Sequence, residues 1–473
     1  MSLQIFSIMR HELLLVAVLL IVLMAEIFWN PATKKNIRVF TVILFGIITI
    51  IGFLPATSGG LFGDMYVVTP IRLLMKNVLN IGVLIVLIQS ITWLGKEENS
   101  DKVGEYFILL LSTLVGMNYM ISAGHFLMLY LGLELATIPL AALAAFERYK
   151  NNSAEAGIKL ILSSALSSGI LLYGISVIYG TTGNLYFTEV ARLFTGSNLG
   201  LLGFIFFFAG MAFKISIVPF HLWTADVYEG SPVNVTSYLS VISKGAALFI
   251  FIIVLFSVFP AIAPVWQKMI YVLSILTMTI GNLFAIRQQN LKRFLAFSSI
   301  SQAGYILLGI IGGNELGMSS LVYYMLVYIF SNLAAFGVVI AISNASGKEN
   351  IDDYNGLYKT NPGLSLVMMI ALFSLAGIPP VAGFFGKFFL FTAAAEKGFF
   401  ILVLIAILNT IISLYYYLLV VKAMFINKSD TPIESFKNDF PTRFALSVCV
   451  AGIVIVGFAS IIFEYIRTLS FGI

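Results

Sequence analysis

The stretch Lys214-Ile-Ser-Ile-Val-Pro-Phe-His-Leu-Trp223 places a lysine and a proline inside an apolar run that we predict to cross a membrane. A lysine near the bilayer centre costs about 2.5–3.5 kcal/mol on insertion scales, so it is rarely kept there without a role. Proline removes a backbone donor, and a membrane tolerates the break only where it is buried or lines a wet cavity. This stretch therefore predicts a broken helix beside a polar path.

The composition of the whole chain is that of a polytopic membrane protein. Of its 473 residues, 60% are hydrophobic and only 10% are charged. Soluble domains carry about 25% charged residues, so this chain has too few to cover a water-facing surface. The composition excludes a soluble enzyme, a nucleic-acid-binding protein and a disordered chain, and it predicts the lipid bilayer as the surroundings.

Fourteen apolar runs have the length of about 20 residues that a spanning helix needs. We predict them at 11–29, 37–54, 71–94, 104–122, 125–146, 156–179, 199–222, 236–259, 265–286, 292–312, 317–343, 364–394, 399–426 and 443–466. No segment shows the alternation of a transmembrane β-barrel, so the fold class is all-α.

The basic residues predict the orientation of these spans. The predicted inner loops hold 17 Lys and Arg residues, and the outer segments hold seven, namely Arg10, Arg72, Lys76, Arg192, Lys268, Lys397 and Arg467. Because Lys and Arg concentrate on the inner side of membrane proteins, both termini are predicted to face outside.

Three lysines and one carboxylate lie well inside predicted spans, away from the span ends where a charge can reach water, namely Lys214, Lys244, Lys387 and Glu134. Ionisable groups within a membrane mark ion paths by default, and a carboxylate beside a lysine stays ionised. We therefore predict a proton path through these four residues. A static ion pair that joins two helices is the alternative, and the sequence does not show which lysine Glu134 meets.

Two further residues are secondary candidates for this path. Lys159 lies a few residues inside the sixth span, where an anchor at the inner face and a proton-entry role both fit. His221 lies just beyond Pro219, where it either satisfies a carbonyl freed by the break or carries protons. Asp226 and Glu229, in the inner loop that follows, are expected to cap a helix or face a partner.

A second break, Ala376-Gly-Ile-Pro-Pro-Val-Ala-Gly-Phe-Phe-Gly-Lys387, places Pro379 and Pro380 before the third buried lysine. The two breaks occupy the fourth helix of two five-helix blocks, 104–259 (helices 4–8) and 265–426 (helices 9–13). An odd number of spans inverts the second block, which is typical of transporters with inverted repeats. Residues 1–100 then form helices 1–3, and 427–473 form helix 14.

No redox or nucleotide site is expected on this chain. Cys449 is the only cysteine, so it can form no internal disulfide and cannot supply the ligands of an iron–sulfur cluster. Nucleotide-binding patterns are missing from the sequence, and the three histidines are dispersed, so no metal or bound cofactor is predicted. Any redox chemistry would take place on another chain.

Over nearly its whole length the sequence resembles the antiporter-like membrane subunits of respiratory complex I. The segments that carry the resemblance are 132–135, 213–232, 243–244, 292–301 and 377–387. Among these subunits, the chain is most similar to the type that lacks a long lateral helix, because it has a lysine on the twelfth helix and ends soon after the fourteenth span.

The resemblance implies a proton-translocating, non-redox membrane subunit of NADH–quinone oxidoreductase in a bacterial inner membrane. Its driving force would be quinone reduction on partner subunits of complex I, which carry FMN and iron–sulfur clusters. The family pattern pairs Glu134 with Lys214, makes Lys244 a central relay and makes Lys387 the terminal lysine.

The sequence departs from the family at Gln302, where related subunits often have a histidine, and at Ala225, which replaces a proline. Two other functions stay open at this point. One is a cation/proton antiporter subunit of a multi-subunit sodium-extruding complex, and the other is a scaffold that bridges membrane subunits. The transported ion and any direct contact with quinone are also open.

Overall fold

A computed structural model describes residues 2–313 and 315–469, which form a helical bundle with one short β-hairpin. The first half consists of α1 (Ser2–Ile8), α2 (Arg10–Phe28), α3 (Pro31–Lys34), α4 (Ile37–Gly52), β1 (Gly59–Leu61), β2 (Tyr66–Val68), α5 (Pro70–Trp93), α6 (Val103–Ile121), α7 (Phe126–Ala144), α8 (Asn151–Thr182), α9 (Phe187–Leu193) and α10 (Asn198–Ile215). The two strands are antiparallel, with Gly59 opposite Val68 and Leu61 opposite Tyr66.

The second half begins directly after the first break. It consists of α11 (Leu222–Gly230), α12 (Val233–Tyr238), a π-helix (Leu239–Ser243), α13 (Lys244–Ser257), a 3-10 turn (Pro260–Ile262), α14 (Ala263–Ala285), α15 (Leu291–Gly312), α16 (Glu315–Ser346), a second 3-10 turn (Ile351–Tyr354), α17 (Leu357–Thr360), α18 (Pro362–Ala376), α19 (Ala382–Glu396), α20 (Phe400–Phe425), α21 (Phe440–Phe458) and α22 (Ser460–Leu469).

The all-α membrane fold is confirmed. Within the described residues, twelve helical segments are long and apolar enough to cross a membrane, with α12, the π-helix and α13 acting as one segment, Val233–Ser257. The other two predicted spans correspond to shorter apolar elements, because α4 has 16 residues and the twelfth span is divided into α18 and α19.

The fourteenth span is shorter than predicted. Helix α21 ends at Phe458, and α22 then starts as a separate helix instead of continuing the run to residue 466. Helix α22 is amphipathic, with Phe463 and Ile466 buried and Tyr465 exposed, which is typical of a helix that lies along a surface.

Close helix packing places α15 and α16 in the centre of the bundle. Both helices are buried along nearly their whole length, as is α13. Glycines allow the close approach on one side of α15: a Cβ on Gly281 would lie 2.7 Å from the Ser301 backbone nitrogen, and one on Gly304 would lie 2.8 Å from that of Met278. Small residues at such contacts are what membrane helices use to pack tightly.

The two helix breaks have the same backbone design. Helix α10 is followed by Ser216 in the left-handed region (φ 67°) and a cis peptide bond before Pro219. Helix α18 is followed by Gly377 in the same region (φ 86°) and a cis bond between Pro379 and Pro380. The predicted breaks at these prolines are therefore confirmed, and the inverted five-helix repeat stays a prediction that the matching breaks support.

Candidate functional site

Lys214 lies in the last turn of α10, directly before the first break. Its buried ammonium donates a hydrogen bond of 2.7 Å to the hydroxyl of Thr137 on α7. Thr137 is one turn beyond Glu134, whose half-buried carboxylate has one oxygen, Oε1, without a hydrogen-bond partner among the described residues. The two charges interact electrostatically across this turn. Lys214 is thus bound by a neutral hydroxyl and influenced by Glu134.

A small cavity adjoins Lys214 and extends toward the next lysine. It has a volume of about 20 Å³ and is lined by hydroxyl groups of Thr137, Ser164, Ser167 and Ser243 together with apolar side chains. A cavity needs roughly 10–15 Å³ to hold one water molecule, and a polar lining favours it. The cavity thus places room for about one water molecule between Lys214 and Ser243, the residue before Lys244.

Lys244 begins α13 immediately after the π-helix Leu239–Ser243. Its buried ammonium donates a hydrogen bond of 2.7 Å to Ser299 on α15 and lies 5.5 Å from the centre of the Tyr228 ring. A single π-turn widens a helix locally and occurs frequently at functional sites. The sequence predicted an ordinary span here, because a π-turn carries no recognisable residue pattern.

His221 lies between the first break and Lys244. Its ring is buried, interacts with the carbonyl of Pro219 and is close enough to Lys244 for electrostatic interaction. Its Nδ1 atom has no partner within the described part of the chain. His221 therefore lies close to both the break and the central lysine, so the two roles expected from the sequence stay predictions.

A chain of neutral polar groups lies along α15 between Lys244 and the second break, with one gap, because the Ser299 hydroxyl that binds Lys244 donates to the Ala296 carbonyl at 2.8 Å and not to Ser298. Ser298, which neighbours the residue bound by Lys244, is 2.5 Å from the Tyr417 hydroxyl. Gln302 donates to that hydroxyl at 3.3 Å and to the Leu375 carbonyl at 3.0 Å, and it accepts a hydrogen bond from Tyr324. The position where the family often has a histidine is thus a hydrogen-bonding junction.

Lys387 lies in the second turn of α19, beyond the second break. Its buried ammonium donates a hydrogen bond of 3.0 Å to the carbonyl of Ala376, the last residue of α18, and lies 4.4 Å from the centre of the Tyr305 ring. The end of α18 leaves carbonyl groups unpaired and partly negative, which favours a cation there. Since Leu375 precedes Ala376, the chain from Lys244 ends beside Lys387.

Lys159 lies in an ion-pair network at the opposite end of α8 from the N-terminal hairpin. It pairs with Asp226 at 2.7 Å, and Arg293 bonds Asp226 at 2.6 Å and Glu229 at 2.9 Å. Burial disfavours the charged form of Asp226, but the hydrogen bonds from Lys159 and Arg293 outweigh it and lower the pKa of that carboxyl. The network joins α8, α11 and α15, so the geometry favours the anchor role of Lys159.

The assignment of Lys76 to an outer segment is wrong. Lys76 is buried inside α5, and its ammonium pairs with Glu12 of α2 at 2.5 Å. Sequence reasoning missed this pair because each residue lies near the end of a predicted span, where charges normally reach water. Only the packing of α2 near α5 brings the two charges together.

Comparisons with known proteins give a consistent result. Residues 123–413 match the family described as NADH:quinone oxidoreductase/Mrp antiporter, transmembrane region. NADH-quinone oxidoreductase subunit N of Phocaeicola vulgatus is 53% identical over 458 residues, covering 96% of this chain and 97% of the relative.

Two solved structures share the architecture over nearly the whole chain. A chain of respiratory complex I from Thermus thermophilus has a TM-score of 0.79 and 27% identity, covering 95% of this chain and 97% of that one. A chain of the Mrp complex from Dietzia sp. DQ12-45-1b has a TM-score of 0.87 and 20% identity, with coverages of 99% and 97%, and shows a common fold.

Proposed function

Because this chain belongs to the family of membrane subunits shared by NADH:quinone oxidoreductase and Mrp antiporters, we propose that it is a proton-translocating subunit of a bacterial NADH:quinone oxidoreductase. It corresponds to the subunit-N type, the name its relatives carry. Its partners are the other subunits of respiratory complex I. Those partners hold FMN and iron–sulfur clusters and reduce quinone, and this chain moves protons in a bacterial inner membrane with both termini outside.

The observation that carries this function is the neutral partner of each buried lysine. Lys214 binds the Thr137 hydroxyl, Lys244 binds the Ser299 hydroxyl and Lys387 binds a backbone carbonyl. A lysine held by a buried carboxylate is fixed in its charged form, because breaking such a pair costs several kcal/mol. Neutral partners leave the charge of each lysine responsive to its neighbours, as a proton relay requires.

The charges then act on one another in sequence. Glu134 attracts the Lys214 ammonium electrostatically, and in the proposed relay a proton that moves from Lys214 toward Lys244 leaves this attraction. Two unit charges 4–10 Å apart interact by about 2–4 kcal/mol at an effective dielectric constant of 20. Moving one charge against 100 mV costs about 2.3 kcal/mol, so these interactions are large enough to drive the transfer.

The groups between the lysines divide into carriers and positioning groups. Hydroxyls donate and accept at once, so Ser298 and Tyr417 can pass a proton between them. Ser299 binds Lys244 and donates to the Ala296 carbonyl, so transfer from Ser299 to Ser298 requires a bridging water molecule. The Gln302 amide holds Tyr417 and the Leu375 carbonyl in place. Lys387, at the end of this chain, exchanges protons with the far side.

The test is the proton-to-electron ratio of the assembled enzyme in proteoliposomes. Lys244→Met should lower the number of protons moved per NADH while electron transfer to an artificial acceptor stays unchanged. Lys268→Met is the matched control, because Lys268 is exposed on α14. An unchanged ratio in Lys244→Met contradicts the relay.

The second candidate function is a cation/proton antiporter of the Mrp type, which the shared fold favours. Copurification separates the two functions, since only the first requires flavin- and iron–sulfur-containing subunits to accompany this chain. The 53% identity with a subunit N over nearly the whole length favours the first.

A further inference from the structure

A fully buried ion pair joins α2 to α5, outside the residues that match the family model. The side chains of Glu12 and Lys76 are 1% and 0% exposed. Tyr66, on the β-hairpin, closes a ring with them: its hydroxyl donates to Glu12 Oε2 at 2.6 Å and accepts from Lys76 at 3.1 Å. We call Glu12, Lys76 and Tyr66 the N-terminal triad.

A contact that only holds α2 and α5 together does not need a buried triad of charged and polar groups. Removing two charges from water costs several kcal/mol per ion, and well-packed apolar residues often stabilise a joint equally well. In a membrane protein, ionisable residues far from water mark ion paths by default. The triad can also take up one proton from outside, because protonation of the Glu12 carboxylate gives a neutral acid beside the Lys76 ammonium and loss of that proton restores the ion pair.

The surroundings of the triad are cationic. Arg72, one turn before Lys76 on α5, donates to the Val67 and Ala123 carbonyls at 3.0 Å each. From α2, Arg10 binds carbonyls at the end of α4, and His11 bonds Asn77. From α6, Tyr119 packs edge-on against Tyr66.

Of the remaining neighbours, the hairpin that carries Tyr66 also carries the exposed Asp64. Helix α1 and residues 45–52 of α4 contain no titratable residue. Neighbouring cations disfavour any additional positive charge, so a proton that arrives at the triad is held weakly. Such a site is suited to releasing protons rather than storing them.

Unpaired polar groups lead from the triad into the bundle. The backbone carbonyl of Ser122 accepts a hydrogen bond from the backbone N–H of Val67, next to Tyr66. The Ser122 hydroxyl is buried without a partner among the described residues. Two asparagines also have buried side-chain atoms without a partner. They are Asn118, one turn before Ser122 on α6, with both amide atoms, and Asn80, one turn beyond Lys76, with Oδ1. Buried polar groups of this kind are normally satisfied by internal water.

A cavity on the other side of the triad leads outward. It has a volume of about 400 Å³, and its lining combines polar residues such as Asp64, Thr69, Arg72 and Thr188 with the apolar Val67, Ile71, Phe187 and Ile253. Arg72 belongs both to this lining and to the shell around the triad, and Asp64 lies on the same hairpin as Tyr66. Arg72 thus connects the surroundings of the triad with this cavity, although no triad residue lines the cavity itself.

From this arrangement we propose that the N-terminal triad is a proton-release site of the subunit. A proton arriving past Asn118 and Asn80 binds Glu12, giving a protonated carboxyl beside the Lys76 ammonium. The same proton then leaves toward the cavity at Arg72, which restores the ion pair without any redox change. The inference rests on the proposed function, and it adds a second titrating site to the path through Lys387.

The test compares charge removal at the triad with charge removal at Lys244, again in the assembled enzyme. Glu12→Gln with Lys76→Met removes both charges together, so no unpaired charge is left buried to prevent folding. We expect this double variant to lose as much proton transfer per NADH as Lys244→Met. The single variant Glu12→Asp, which keeps a carboxylate beside Lys76, should retain the proton transfer per NADH of the wild type. Glu26→Gln is the control, because Glu26 pairs with Lys34 at a partly exposed position on the same helix.

Infrared difference spectra during turnover give an independent readout. A transient protonated carboxyl signal should be present in the wild type and missing from Glu12→Gln alone. If the double variant pumps normally, or if this signal persists in Glu12→Gln, the proton-release site is refuted. Normal pumping by Lys244→Met would refute the proposed function instead, so the two failures are distinguishable.

Discussion

Replacing Ser299 with alanine removes the hydroxyl that binds Lys244 and should uncouple the central relay. The lost bond is 2.7 Å long and joins a buried ammonium to a neutral oxygen. Hydrogen bonds to charged groups contribute about 1.5–3 kcal/mol, and each 1.4 kcal/mol is a factor of ten. The charged form of Lys244 should therefore become about 10- to 150-fold less favourable than in the wild type.

This shift has a defined sign with respect to pH. Because the charged form is disfavoured, a higher proton concentration is needed to recover it, so the optimum of coupled proton transfer moves to lower pH. The assay is proton movement per NADH in proteoliposomes across a pH series, with electron transfer recorded in parallel. Ser299→Thr, which keeps a hydroxyl, should behave nearly as the wild type.

Ser301→Ala is the matched control on the same helix. The Ser301 hydroxyl is also buried but donates to the backbone carbonyl of Ser298 at 2.8 Å and does not bind a lysine. If Ser299→Ala keeps the wild-type pH profile, or if Ser301→Ala shifts it equally, the Ser299–Lys244 bond does not set the charge of the relay.

Three further predictions concern the breaks and the ion-pair network. Gln302→Leu should leave the Leu375 carbonyl unpaired at a cost of about 1–3 kcal/mol and should reduce proton transfer in the assembled enzyme more than electron transfer. Gly383→Ala should prevent assembly, because its Cβ would lie 1.6 Å from the Ser374 carbonyl oxygen, whereas Gly180→Ala, with open space around it, should assemble normally on a native gel. Asp226→Asn should lower stability by at most about 1 kcal/mol at pH 7, since its ion pairs are partly exposed. Since the pKa of Asp226 is lowered, this difference should vanish in thermal melts as the pH falls below the usual range of a carboxyl.

Local properties of the sequence determined the class and the spans, and they singled out the charged residues of the proposed path. Hydropathy marks a span wherever it occurs, and a proline breaks a helix through its own backbone, so the breaks at Pro219 and Pro380 were predictable. Lys214, Lys244 and Lys387 stood out because a charge in an apolar run is rare. The resemblance to the complex I subunits is confirmed by the comparisons and rests on the same segments.

Tertiary structure alone decided what each charge touches. Lys214 binds Thr137 rather than Glu134, and Lys76 meets Glu12 across 64 positions of sequence. Ser298 and Tyr417, which are 119 positions apart, carry no signal that separates them from other serines and tyrosines. Their contact depends on how α15 and α20 are rotated and how closely they pack. Those quantities arise from the fit of many side chains between helices, and no single segment of the sequence encodes them.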